Sequence, residues 1–108
     1  MCNAMGMEIQ FLNSRAEDFT NSLEKSLRNR VRKNLKLLEM FGHELKMPFS
    51  KSLGNGLFEL RIVGMTHVRV MYTFKYDQIW ILHALIKKTN KIPQKEIEYA
   101  RNQIKLLQ

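Results

Sequence analysis

A chain of 108 residues suits one domain with a single modest core, and a hydrophobic content of 44% excludes a disordered polymer. Its 18 Lys and Arg stand against 10 Asp and Glu, a formal charge of +8. In so small a domain this excess points to an anionic partner, nucleic acid before an anionic membrane surface, although the same charge also serves solubility.

In chain order, the opening MCNAMGM offers several alternative starts, and residues 1–6 are read as vector-derived or disordered and outside the fold. They lack the basic-then-apolar pattern of a signal peptide. A lone cysteine, Cys2, cannot close an internal disulfide and fits a reducing, cytoplasmic setting. EIQFLN (Glu8 to Asn13) alternates and predicts a short first strand. From Ala16 the period changes: Ala16, Phe19, Leu23 and Leu27, then Val31, Leu35 and Leu38, recur at helical spacing. A helical hairpin with its break between Glu24 and Ser26 is predicted, one long helix being the alternative. Gly42 marks the C-terminal stop. Met47-Pro48 and Gly54-Asn55-Gly56 punctuate the next stretch as a loop.

Three strands follow, Leu57 to Val63, His67 to Lys75 and Gln78 to Ile86. Their short links require an antiparallel meander, because parallel neighbours need a long crossover. After Pro93, a good first helical residue, Ile97, Ala100 (or Arg101), Ile104 and Leu107 predict a last helix. The order is β-α-α-β-β-β-α: an α+β domain spanning residues 1–108, with the hairpin on one face of a mainly antiparallel sheet. No run approaches the roughly 18 apolar residues that span a bilayer; the longest is IWILHALI.

Parity along the strands sorts the side chains. Phe58, Leu60 and Ile62, with Val68, Val70, Tyr72 and Phe74, form the apolar side, so Arg61 and Arg69 share the opposite and less covered one. Lys87, Lys88 and Lys91 close the last strand and bring a basic end to the same region. Arginine suits a phosphate there, because its planar fork donates paired hydrogen bonds and stays charged. The competing readings are an Arg61 pair with Glu59 and a solvated strand end for the lysines. His83 interrupts an apolar strand, either as a hydrogen-bonded core residue or as a catalytic group. No CxxC, HExxH or acid-rich cluster occurs, so neither metal nor cofactor is expected.

KSLGNGLFELRI, VRVMYTF and ILHALIKKTNKIPQKEIEYA together resemble the phage-derived, HigB-like branch of the RelE toxin superfamily. The resemblance covers roughly Leu35 to Arg101. It implies a RelE-like fold and the toxin of a type II toxin–antitoxin system, a cytoplasmic, metal-free endoribonuclease (mRNA interferase) that cuts messenger RNA on the ribosome and so inhibits translation. Its partners would be mRNA, the ribosome and a cognate helix-turn-helix antitoxin, with no membrane or small-molecule cofactor. The resemblance assigns Arg61 and Arg69 to phosphate clamping and transition-state charge. Lys87 or Lys88 would move a proton at the 2′-hydroxyl or at the leaving oxygen, and His83 is the histidine of the same motif. Lys91 joins the RNA-binding cluster, and Tyr99 would stack on a base. Two features depart from the family pattern: Ile92 stands where relatives often carry threonine, and the Met65-Thr66 turn is short. The alternatives are a ParE-like gyrase inhibitor and a relative that binds RNA without cutting it.

Overall fold

The computed structural model describes residues 6–108; the readings of Cys2 and of residues 1–5 lie outside that range. Strand β1 (Ile9–Phe11) leads into helix α1 (Ser14–Ser22), where the Asn13 side chain caps the first turn by accepting the Ala16 N–H at 3.0 Å. The break before α2 (Lys25–Phe41) falls at Leu23 and Glu24, and the Glu24 carboxylate accepts the N–H groups of Ser26 and Leu27. Gly42, at φ 51°, ends α2 where a side chain would be strained.

Four strands follow rather than the predicted three: β2 (Ser50–Gly54), β3 (Leu57–Ile62), β4 (His67–Lys75) and β5 (Gln78–Lys87). The extra strand lies in the stretch read as a loop. Asn55 (φ 52°) and Gly56 (φ 82°) both take the left-handed conformation that a tight two-residue hairpin demands. They fold SKSLG back onto β3 with Ser50 opposite Leu60. The strand escapes an apolar-alternation search because it is a short, largely exposed edge. Helix α3 runs Gln94–Lys105, with Pro93 as its cap rather than its first residue.

The sheet order is β1-β5-β4-β3-β2, antiparallel except for β1 beside β5. Helices α1 and α2 cover one face, where Val31 and Leu38 meet Leu60, Ile62, Val68, Val70, Tyr72, Ile79 and Ile81. The opposite face is less open than expected, because Leu57, Met71 and Leu82 pack against Ala100 and Leu107 of α3. Among the described residues, no helix is long and apolar enough to cross a membrane.

On the α1/α2 side, the buried Tyr72 hydroxyl shares a hydrogen bond with the Ser50 hydroxyl, tying β4 to the edge strand. Burial raises the phenol pKa above its ordinary value of 10.0, and the Ser50 bond partly opposes that shift. A raised folded pKa stabilises the fold fully below the unfolded value, and the gain is lost as pH rises through the folded value. Urea denaturation across alkaline pH should therefore show wild type losing stability above about pH 10 more steeply than Tyr72→Phe. Equal slopes would remove Tyr72 from the alkaline transition.

Candidate nucleic-acid interface

Strand β5 contains a bulge: Met71 pairs with His83 but Tyr72 pairs with Ile81, leaving Leu82 as the extra residue. The bulge reverses parity along β5. Ile79 and Ile81 face α1 and α2, whereas His83, Leu85 and Lys87 join the face that carries Met71 and Arg69. The Asn13 amide donates to the Leu82 carbonyl at 3.1 Å and to Gln103 at 2.9 Å, so one side chain binds the bulge, the start of α1 and helix α3 together.

Re-phasing brings Lys87 to a cavity of about 380 Å³ beside the start of α3. Lys51, Glu59, Arg61, Lys87, Asn90, Lys91 and Gln94 supply its polar lining; Leu53, Ile92 and Ile97 supply apolar wall. Arg61 and Arg69 lie directly opposite each other on β3 and β4. Like charges so placed repel, and Glu59 separates them: its carboxylate lies 3.8 Å from Arg61 Nε on one oxygen and 3.8 Å from Arg69 Nε on the other. Glu59 Oε1 and Arg61 Nε make no hydrogen bond in the protein, so the triad is electrostatically matched but loosely bonded.

The expectation that both arginines project from an open face needs correction. Arg61 keeps 25% of its side chain exposed and reaches the cavity, but Arg69, on the middle strand, keeps only 2%. Burial lowers the Arg69 guanidinium pKa, Glu59 raises it in part, and the neighbouring Arg61 lowers it further. It remains a cation, because arginine is not deprotonated in proteins. It sits behind Glu59 and does not line the Arg61 cavity.

The other predicted residues divide. Lys91 joins Arg61 and Lys87. Lys88 turns to a separate cavity of about 580 Å³ on the α1 side of β5, with Arg15, Asp18, His83 and Glu96. There His83 Nε2 bonds Glu96 Oε1 at 2.5 Å, and the Tyr99 ring packs against the His83 ring, tilted by 55° with centroids 4.6 Å apart, beneath the Arg15 guanidinium. His83 and Tyr99 are thus engaged with each other, away from Arg61. Sequence reasoning missed Lys51 as a cavity cation and gave Glu59 only a pairing role. The signal for Lys51 was the Asn55-Gly56 hairpin, which sets Lys51 opposite Glu59. No group of three or more His, Cys, Asp or Glu suited to a metal ion occurs among the described residues.

Fold and site together define a small basic α+β protein with a cationic cavity at the open end of its α3-covered face. A family model described as phage-derived protein Gp49-like matches residues 18–105, and the chain belongs to that family. The family is linked to toxin–antitoxin toxins of the RelE/HigB type, which suggests an antitoxin partner. Comparison with curated proteins finds none that matches this chain.

Proposed function

We propose that the protein is the toxin of a type II toxin–antitoxin system and acts in the cytoplasm as a metal-independent messenger-RNA endoribonuclease on the ribosome. A cognate helix-turn-helix antitoxin would hold it silent. The observation that carries this reading is the convergence of Lys51, Arg61, Lys87 and Lys91 on one cavity whose single carboxylate, among the described lining residues, is Glu59.

That set supplies what RNA self-cleavage needs. The RNA 2′-oxygen attacks the adjacent phosphorus, a P–O bond to the 5′-oxygen of the next nucleotide breaks, and a cyclic phosphate and a free 5′-hydroxyl result. Glu59, the carboxylate on the cavity wall, would take the 2′-hydroxyl proton. The Lys87 ammonium donates a proton to the leaving oxygen. Arg61, Lys51 and Lys91 offset the charge that grows on the phosphorane. Arg69, paired behind Glu59, fixes the base in place.

Primer extension on cellular transcripts after inducible expression should reveal new RNA ends within reading frames. Growth arrest without new ends would sink the nuclease reading. The burial of Arg69 favours a second reading, a ParE-like gyrase inhibitor or an RNA binder that does not cut. Inhibition of gyrase supercoiling by the purified protein, with RNA left whole, would support it.

A further inference from the structure

The loop before β2 puts apolar surface beside the cationic cavity. Phe49 is 43% exposed and Met47 is 56% exposed. Neither serves the core, yet both are held against Arg61. The Phe49 carbonyl accepts the Arg61 backbone N–H at 2.8 Å, extending the β2–β3 ladder by one step, and Arg61 Nη1 lies 3.4 Å from the Met47 sulfur. Ser50 faces inward to Tyr72, Lys51 lines the cavity, and Phe49, the last residue of the turn before β2, is joined to Arg61 by that backbone bond. Phe49 stands two residues from Lys51, at most about 7 Å along the chain, a reach that one nucleotide covers.

We propose that Phe49 is a stacking platform for an unpaired nucleobase of the strand whose phosphate occupies the Arg61–Lys87 cavity, with the Met47 thioether as its apolar lip. An exposed phenyl ring has no charge of its own to offer a phosphate. Beside a row of cations it suits the other half of a nucleotide, because every base has a flat π-face and the contact tolerates any sequence. The inference rests on the RNA reading above and adds a base subsite to a site otherwise built for phosphate.

The test measures binding of the full chain to two single-stranded RNA oligonucleotides by fluorescence anisotropy. One is intact; the other carries abasic positions across the central nucleotides. Phe49→Ala and Phe49→Leu should each weaken binding to intact RNA roughly ten- to hundredfold, while Phe49→Trp retains it. Both weakened variants should match wild type on the abasic strand. Phe41→Ala, which removes another exposed ring at the end of α2, should leave both affinities unchanged. Phe49→Leu keeps the apolar bulk without the ring, so its binding separates stacking from general contact. If Phe49→Leu binds intact RNA like wild type, or if Phe49→Ala weakens both strands equally, the platform is overturned while the RNA reading stands. If neither strand binds wild type, the RNA reading fails and the platform with it.

Discussion

Glu59→Ala should be strongly destabilising, lowering the free energy of unfolding by about 3 kcal/mol or more. Glu59 is 6% exposed and stands between two arginines that oppose each other across β3 and β4. Without it, Arg69 is a buried cation whose nearest charge is another cation. For a domain of this size a loss of that order lowers Tm by more than about 10 °C. Adding Arg69→Met to Glu59→Ala should recover much of the loss, because the stranded charge goes with it and an apolar side chain of similar length fills the space. Thermal and urea denaturation of the single and double variants would decide. A Glu59→Ala protein as stable as wild type would mean that the triad is held by strand packing rather than by charge.

The largest expected effect on activity separates two neighbouring lysines. Lys87→Ala should reduce RNA cleavage about 10²-fold or more, the scale seen when one preorganised donor to a developing charge is removed. Lys88→Ala should cost much less, because Lys88 lines the His83 cavity on the other side of β5. Single-turnover cleavage on ribosomes, with circular dichroism to confirm the fold of each variant, measures both. A Lys88→Ala loss equal to that of Lys87→Ala would place the reacting phosphate across the end of β5 instead of within the Arg61 cavity.

The asymmetry also marks where sequence reasoning stops. Alternation alone could place Arg61 and Arg69 on one face, because β3 and β4 run without irregularity through those positions. It could not place His83 and Lys87. Counting by twos from Ile79 sends both to the α1/α2 side, and only the extra residue at Leu82 returns them to the face of Arg69. Nothing in IWILHALI announces the bulge, since either phase of so apolar a run is acceptable. What holds it is distant in sequence: the Asn13 side chain on the Leu82 carbonyl, with Gln103 on the same amide. Arg69 shows the same limit. Its charge is plain in VRV, but its burial depends on β4 being the middle strand and on α3 closing over that face. By contrast, the Asn55-Gly56 hairpin, read from the sequence only as a loop, carries a local signal, because both residues tolerate the left-handed backbone that a tight turn needs.

By itself, then, the sequence determined the α+β class, a helical hairpin whose break, expected between Glu24 and Ser26, falls at Leu23 and Glu24, the antiparallel meander and the cationic character of one sheet face. These follow from periodicity, capping and charge, which act over a few neighbouring residues. Tertiary structure alone decided which cations share a cavity, that Glu59 is bound between two arginines, and that Lys87 and Lys88 part company. These depend on strand order, on one bulge and on the docking of α3. The free energies involved come from burial and from charges brought together across the sheet.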